Sequence, residues 1–154
     1  MQLSPPFTWE GWLKTDDVSV HQQMFVNGRY ISYLIATDGH FRFTTAAVKD
    51  YDFTYTAATG TWYYWVMIFD TAFDAHLYVN GAFQQTVAGT SDGTSAWTNF
   101  YIGGPDYYFD GILDESRVSN ISRSAAWLKA SYNSGNDSLV TYGNEQKKGF
   151  YIID

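Results

Sequence analysis

Asp50 and Asp52, in the stretch KDYDF, stand two residues apart, the spacing at which a β-strand projects two carboxylates from one face. Two carboxyl groups about 5–5.5 Å apart are the machinery of retaining glycoside hydrolysis. The pair sits at a strand start beside the Lys49-Asp50 turn, where solvated turn aspartates are the competing reading. The chain has three glutamates, Glu10, Glu115 and Glu145, and no E-x-D-x-E pattern. Nucleophilic chemistry finds less support. There is no cysteine, and His21, His40 and His76 lie in separate strand-edge contexts. The glycines of IGGPD end a strand and do not form a phosphate cradle. The residue types point to a protein that binds, not one that catalyses.

Sugar recognition needs an aromatic platform with acid, amide or hydroxyl groups around it. Candidates are Trp97 and Asp92 in TSDGTSAWTN, Tyr107 and Tyr108 in PDYYFDG, and Tyr63 or Trp65 in TWYYWVMIFD. Trp97 leads, because an aromatic in a long polar loop has no evident core obligation; anchoring the loop is its alternative role. For Trp65 the alternative is a structural aromatic in a central strand. Neither face of that run is polar, so one face belongs in the core and the other lies under loops or lines a concavity.

The elements that must position these residues are short strands. Turn chemistry divides the chain into strands expected near 7–14, 21–26, 30–37, 40–47, 51–57, 61–69, 75–80, 82–87, 99–102 and 108–119. VNG occurs twice, at Asn27-Gly28 and Asn80-Gly81. Each predicts a hairpin, since a type I′ loop needs positive φ at both central residues, which Asn tolerates and Gly adopts freely. The segment SRSAAWLKASYN breaks the pattern. Ser122 or Ser124 is placed to cap a short helix over 122–133, with Trp127 and Tyr132 facing the sheets. A last strand is expected at 139–142.

Composition agrees with this reading. Aromatics make up 19% of the 154 residues, which favours β-structure in one domain. The formal charge is −7 and the nine basic residues are scattered. Phosphate backbones and anionic membranes both require a cationic patch, so nucleic acid and membrane surfaces are not expected partners. No apolar run reaches the length of a membrane span, and MQLSPPFTW is too polar and short for a signal peptide.

FTWEGWLKT, GTWYYWVMIFD, LYVNG, FYIGG and FDGILDESRVSNISRSAAWLKASYN follow one another in an order that resembles the laminin-G-like, concanavalin A-like jelly-roll domains of bacterial and archaeal surface proteins. The likeness runs from about Phe7 to Gly143, and the block Phe109–Asn133 is its most specific part. It implies an all-β, two-sheet antiparallel jelly-roll sandwich with one short helix, comprising residues 1–143, followed by a tail, 144–154. It also implies a structural calcium held by Asp114 of FDGILDE beside a carbonyl from an early hairpin, for which Gly28 is the nearest candidate. The competing reading has Asp114 capping backbone amides or pairing with Arg117.

Relatives of this kind carry an L-x-F-D-G strand before the FT motif, and here only MQLSPP precedes Phe7. An open sheet edge is a template for an added strand. The tail GFYIID, through Phe150, Tyr151, Ile152 and Ile153, is a candidate to fill that edge in its own subunit or a neighbour; the alternative is a linker to a further domain. Because this scaffold hosts lectins, glycosidases, adhesion modules and spacers, it specifies function poorly. The expected function is a non-catalytic glycan-binding or adhesion module, extracellular or on a cell or virion surface, engaging a glycan or surface protein. The rival is a structural subunit that self-assembles through its tail.

Overall fold

Each of the ten strands expected before Ser119 forms, with boundaries moved by a few residues. The computed structural model describes residues 3–28, 30–34, 39–45, 48–91 and 99–138. In chain order the elements are β1 (Phe7–Thr15), β2 (Gln22–Asn27), β3 (Tyr30–Leu34), β4 (His40–Thr45), β5 (Lys49–Thr56), β6 (Tyr63–Phe69), β7 (Ala75–Val79), β8 (Ala82–Val87), β9 (Tyr101–Ile102), β10 (Gly111–Ser119) and α1 (Ala125–Gly135). The strand expected at 139–142 and the tail with Phe150 to Ile153 lie outside the described residues, as do Asp92 and Trp97.

Two five-stranded antiparallel sheets result, ordered β10-β1-β6-β7-β8 and β5-β4-β3-β2-β9. The core between them is aromatic. Trp9 stacks on Phe25 at 5.6 Å and meets Phe43 edge-on at 5.9 Å, while Phe25 stacks in turn on Trp65 at 5.6 Å. Alternation along β6 sends Tyr63, Trp65, Met67 and Phe69 into this core. Its other face, Tyr64, Val66 and Ile68, is also buried, but beneath Leu128 of α1. The helix takes the place of the expected loops, and Tyr64 of this face also lines a concavity, as expected.

The repeated VNG folds in two registers. At the second copy Val79 pairs with Ala82, so Asn80 (φ 53°) and Gly81 (φ 71°) are the two turn residues, as the type I′ expectation requires. At the first copy Asn27 pairs with Tyr30 and belongs to the strand. The loop has moved one residue on, to begin at Gly28 (φ 46°). Asn27 is buried and its Nδ2 donates to the Asn99 carbonyl at 3.4 Å, whereas Asn80 Oδ1 accepts from the Tyr64 N–H at 2.9 Å.

A third turn is held by charge. Between β6 and β7, Asp70 Oδ1 accepts from the Ala72 and Asp74 N–H groups, and Oδ2 meets His76 Nε2 at 2.9 Å. Partial burial pushes the Asp70 carboxyl up. The hydrogen bonds from His76, Asp74 and Ala72 together outweigh that push and hold it below its ordinary 3.8. A carboxylate depressed in the folded state adds stability above its unfolded pKa and loses it as the pH falls through the folded value. Asp70→Asn should therefore lower stability at pH 7 by about 1 kcal/mol, with the gap to wild type narrowing towards pH 3. Calorimetric melting at both pH values checks this; an equal gap at each would reject it.

Candidate functional site

The outer face of the first sheet carries the site, and a β-bulge sets its geometry. Glu10 pairs with Arg117 but Trp12 pairs with Asp114, so Glu115 and Ser116 together oppose Gly11. The approach is close at Gly11, where a Cβ would stand a tight 3.3 Å from the Asp114 carbonyl oxygen and the Ser116 Cα. Glu115 takes the left-handed region, φ 49°, uncommon for a residue with a side chain. Leu113 and Val118 pack against the core. Strict alternation would place Asp114 and Arg117 on opposite faces; the inserted residue brings both to the outer one.

Helix α1 forms the opposing wall. Thr8 Oγ1 donates to the Ile121 carbonyl and accepts from Arg123 N–H, which ties the incoming chain to β1. Ser124 caps the helix, its side chain accepting from the Trp127 N–H at 3.2 Å. Leu128 is fully buried on β6, and Tyr132 stacks on Trp12 at 5.7 Å. Trp12 in turn lies under Gly135, where a Cβ would come within 2.7 Å of its ring. The expectation that Trp127 faces the sheets is corrected. Leu128 occupies that position, and Trp127, one residue earlier on the helix, is 43% exposed with the Arg123 guanidinium 4.4 Å from its ring.

Between helix and sheet runs a groove of about 1070 Å³. From the sheet side it is lined by Trp12, Trp62, Tyr64, Asp114, Glu115 and Arg117, and from the helix by Trp127, Ala130, Ser131, Ser134, Gly135 and Asn136. Trp62 is 41% exposed, with Lys14 Nζ 5.9 Å from its ring. Half-exposed tryptophans thus stand on both walls, with a carboxylate, a guanidinium, hydroxyls and an amide among them. This is the equipment of a polar, ring-shaped ligand site.

A buried acid lies behind the groove. Glu10 is 1% exposed. Its Oε2 accepts from the Tyr64 hydroxyl at 2.6 Å, and Oε1 faces Arg117 Nη1 at 3.8 Å with no hydrogen-bond partner among the described residues. The second terminal nitrogen of Arg117 donates to Glu115. Burial, then the hydrogen bond to Glu10, holds the Tyr64 phenol well above its ordinary range. Tyr64 therefore acts as a proton-bearing donor at neutral pH, not as an activated nucleophile.

The structure places the expected site residues unevenly. Asp114 lines the groove, and one of its carboxylate oxygens accepts from the Glu115 N–H at 2.8 Å. This matches the reading of Asp114 as a cap for a backbone amide. Arg117 pairs with Glu10 and Glu115. Gly28 lies in the turn that follows β2 of the other sheet. No group of three or more His, Asp or Glu side chains suited to a metal occurs among the described residues.

Trp65 is corrected outright. It is 1% exposed inside the aromatic core, because strand parity points it away from the groove that its neighbour Tyr64 lines. Tyr63 shares that inward face. Tyr107 and Tyr108 sit on the loop before β10, exposed but outside the groove lining; Gln23 Oε1 accepts from the backbone of Asp106 and Tyr107. Asp50 and Asp52 both face Arg42. Sequence reasoning passed over Trp12, Trp62 and Trp127. The available signal lay in the helix, where Trp127, Ser131 and Ser134 fall on a different stripe from Leu128 and Tyr132.

The laminin-G profile described as the concanavalin A-like lectin/glucanases superfamily matches residues 2–129. The chain belongs to this superfamily. No curated protein sequence matches it. Solved structures share the laminin-G-like fold at low identity. A candidate carbohydrate binding protein from Bacteroides ovatus aligns with TM-score 0.70 at 22% identity, over 84% of this chain and 41% of that one. Domain 4 of AbnA, an extracellular arabinanase from Geobacillus stearothermophilus solved with arabinotriose, aligns with TM-score 0.65 at 19% identity, over 82% and 66%. Botulinum neurotoxin type C, whose cell entry depends on two ganglioside molecules, aligns with TM-score 0.66 at 9% identity, over 86% and 36%. The laminin-G-like chain thus spans less than half the length of the first of these proteins. Among its described residues no helix is long and apolar enough to cross a membrane.

Proposed function

We propose that this laminin-G-like domain is a non-catalytic carbohydrate-binding module that holds a glycan in the groove between α1 and the first sheet, at a cell or virion surface. The observation that carries the reading is the pair of half-exposed tryptophans, Trp62 and Trp127, on opposite walls of a groove lined by Asp114, Arg117, Ser131, Ser134 and Asn136. Indole rings offer flat apolar surfaces to the C–H faces of pyranose or furanose rings, and the polar groups meet the hydroxyls. Solved structures of the same fold, named for carbohydrate binding or captured with arabinotriose, support the class of ligand. The non-catalytic part rests on the partners of the acids: Glu10 is held by Tyr64, Asp114 by a backbone amide and Glu115 by Arg117.

Trp127→Ala should weaken binding of the best ligand from an oligosaccharide array at least tenfold by calorimetric titration, equivalent to about 1.4 kcal/mol. The side chain covers little of the core, so the melting temperature should stay within about 2 °C of wild type. Wild-type affinity in this variant would remove the groove from the reading. Defined oligomers or filaments with no response to any sugar would favour the rival, a self-assembling structural subunit.

A further inference from the structure

We infer that the groove selects uncharged or amine-bearing sugars and excludes acidic ones, because its lining guanidinium, Arg117, is already held between Glu10 and Glu115. The inference rests on the carbohydrate reading above and narrows its ligand class. Acidic sugars are recognised by a guanidinium fork free to bind a carboxylate or sulfate through two parallel hydrogen bonds. Here one terminal nitrogen of Arg117 donates to Glu115 and the other faces Glu10 Oε1 at 3.8 Å. Two carboxylates thus face this one cation, and Asp114 is a further acid in the groove lining. Lys14 and Arg123 stand against the rings of Trp62 and Trp127 and are not part of the groove lining.

Hydrogen-bonding capacity points the same way. The groove lining carries two carboxylates, Asp114 and Glu115, and a carboxylate only accepts hydrogen bonds; Glu10 is buried behind them. Hydroxyl and ammonium groups supply donors. A sugar carboxylate supplies only acceptors and adds like charge. The backbone outlier lies at the same place, since Glu115 is held at φ 49° in the bulge that aims it at Arg117. Strain of this kind persists where the surrounding structure over-determines it, often at ligand sites.

The test is a binding panel on the intact chain. It comprises arabino- and cello-oligosaccharides as neutral probes, chitosan oligomers as amine-bearing probes, and sialyllactose and oligogalacturonate as acidic probes. The expected result is affinity for a neutral or amine-bearing probe at least tenfold above that for either acidic probe, with the discrimination shrinking as salt screens the like charges. Glu115→Gln frees one side of Arg117 and should raise the ratio of acidic to neutral affinity at least fivefold. Glu115 is exposed, so this variant should fold, with an unchanged far-ultraviolet spectrum as the check. Acidic probes that bind wild type as tightly as neutral ones, in a manner lost in Trp127→Ala, would overturn the charge selection and leave the carbohydrate reading intact. A ratio unmoved by Glu115→Gln would also overturn it. No binding by any probe would overturn both.

Discussion

Gly81→Val should lower the stability of the domain by about 3 kcal/mol, a fall in melting temperature of roughly 6–12 °C for a chain of this size. Two causes act together. Gly81 has φ 71°, a conformation in which a β-branched side chain is a genuine outlier. The turn is also not free in solvent. A Cβ at residue 81 would lie 3.0 Å from Lys129 Cδ, 3.1 Å from Tyr132 Cβ and 3.2 Å from Lys129 Cα. Any bulk there must displace either the hairpin or the helix. Because Tyr132 stacks on Trp12, the disturbance should reach the groove, and sugar affinity should fall along with stability. Thermal melting and titration of the same sample check both effects. A wild-type melting temperature would mean that the β7–β8 turn is not left-handed at Gly81 and does not support α1.

Leu128→Ala should be of similar size, about 2–5 kcal/mol for a leucine removed from a fully buried site. Leu128 is the helix's only fully buried side chain among the described residues, set against Tyr64, Val66 and Ile68. An isolated helix of 11 residues falls short of the length that is stable alone in water, so α1 depends on this anchor. The damage should be local before it is global. Amide exchange of 125–135 should speed up under conditions in which β6 remains protected, and sugar binding should be lost because one wall of the groove has gone. A urea midpoint and exchange pattern equal to wild type would show that α1 is held by something other than Leu128.

Strand positions, turns and the helix were legible in the sequence because their causes are local. Asn80-Gly81 has the residue types a type I′ turn favours, and TWYYWVMIFD announces a strand covered on both faces. The order of FTWEGWLKT, LYVNG and FDGILDESRVS was enough to indicate the sandwich. The selection of Trp65, or of Tyr63 on the same face, met a buried side chain for a physical reason. With apolar side chains on both faces, nothing in the strand says which face meets the other sheet and which meets a helix. Trp97, the leading candidate from the sequence, and Asp92 lie outside the described residues.

What the sequence by itself determined is the set of β-strands, their turns, the capped helix and the presence of aromatics in excess of what one core needs. What only the tertiary structure decided is where that excess goes. The alternation of GILDESRVS assigns Asp114 and Arg117 to opposite faces until the pairing of β10 with Gly11 of β1 inserts Glu115 and restores them to one. Likewise VNG becomes an Asn-Gly turn at residues 80–81, but at 27–28 the burial of Asn27 against Asn99 shifts the loop by one residue. The parity of side chains along a strand is a local property, whereas the place at which a partner strand resets it is not. The groove lies at such a reset, which is why its tryptophans, acids and arginine were visible in the sequence as residue types while the site they form was not.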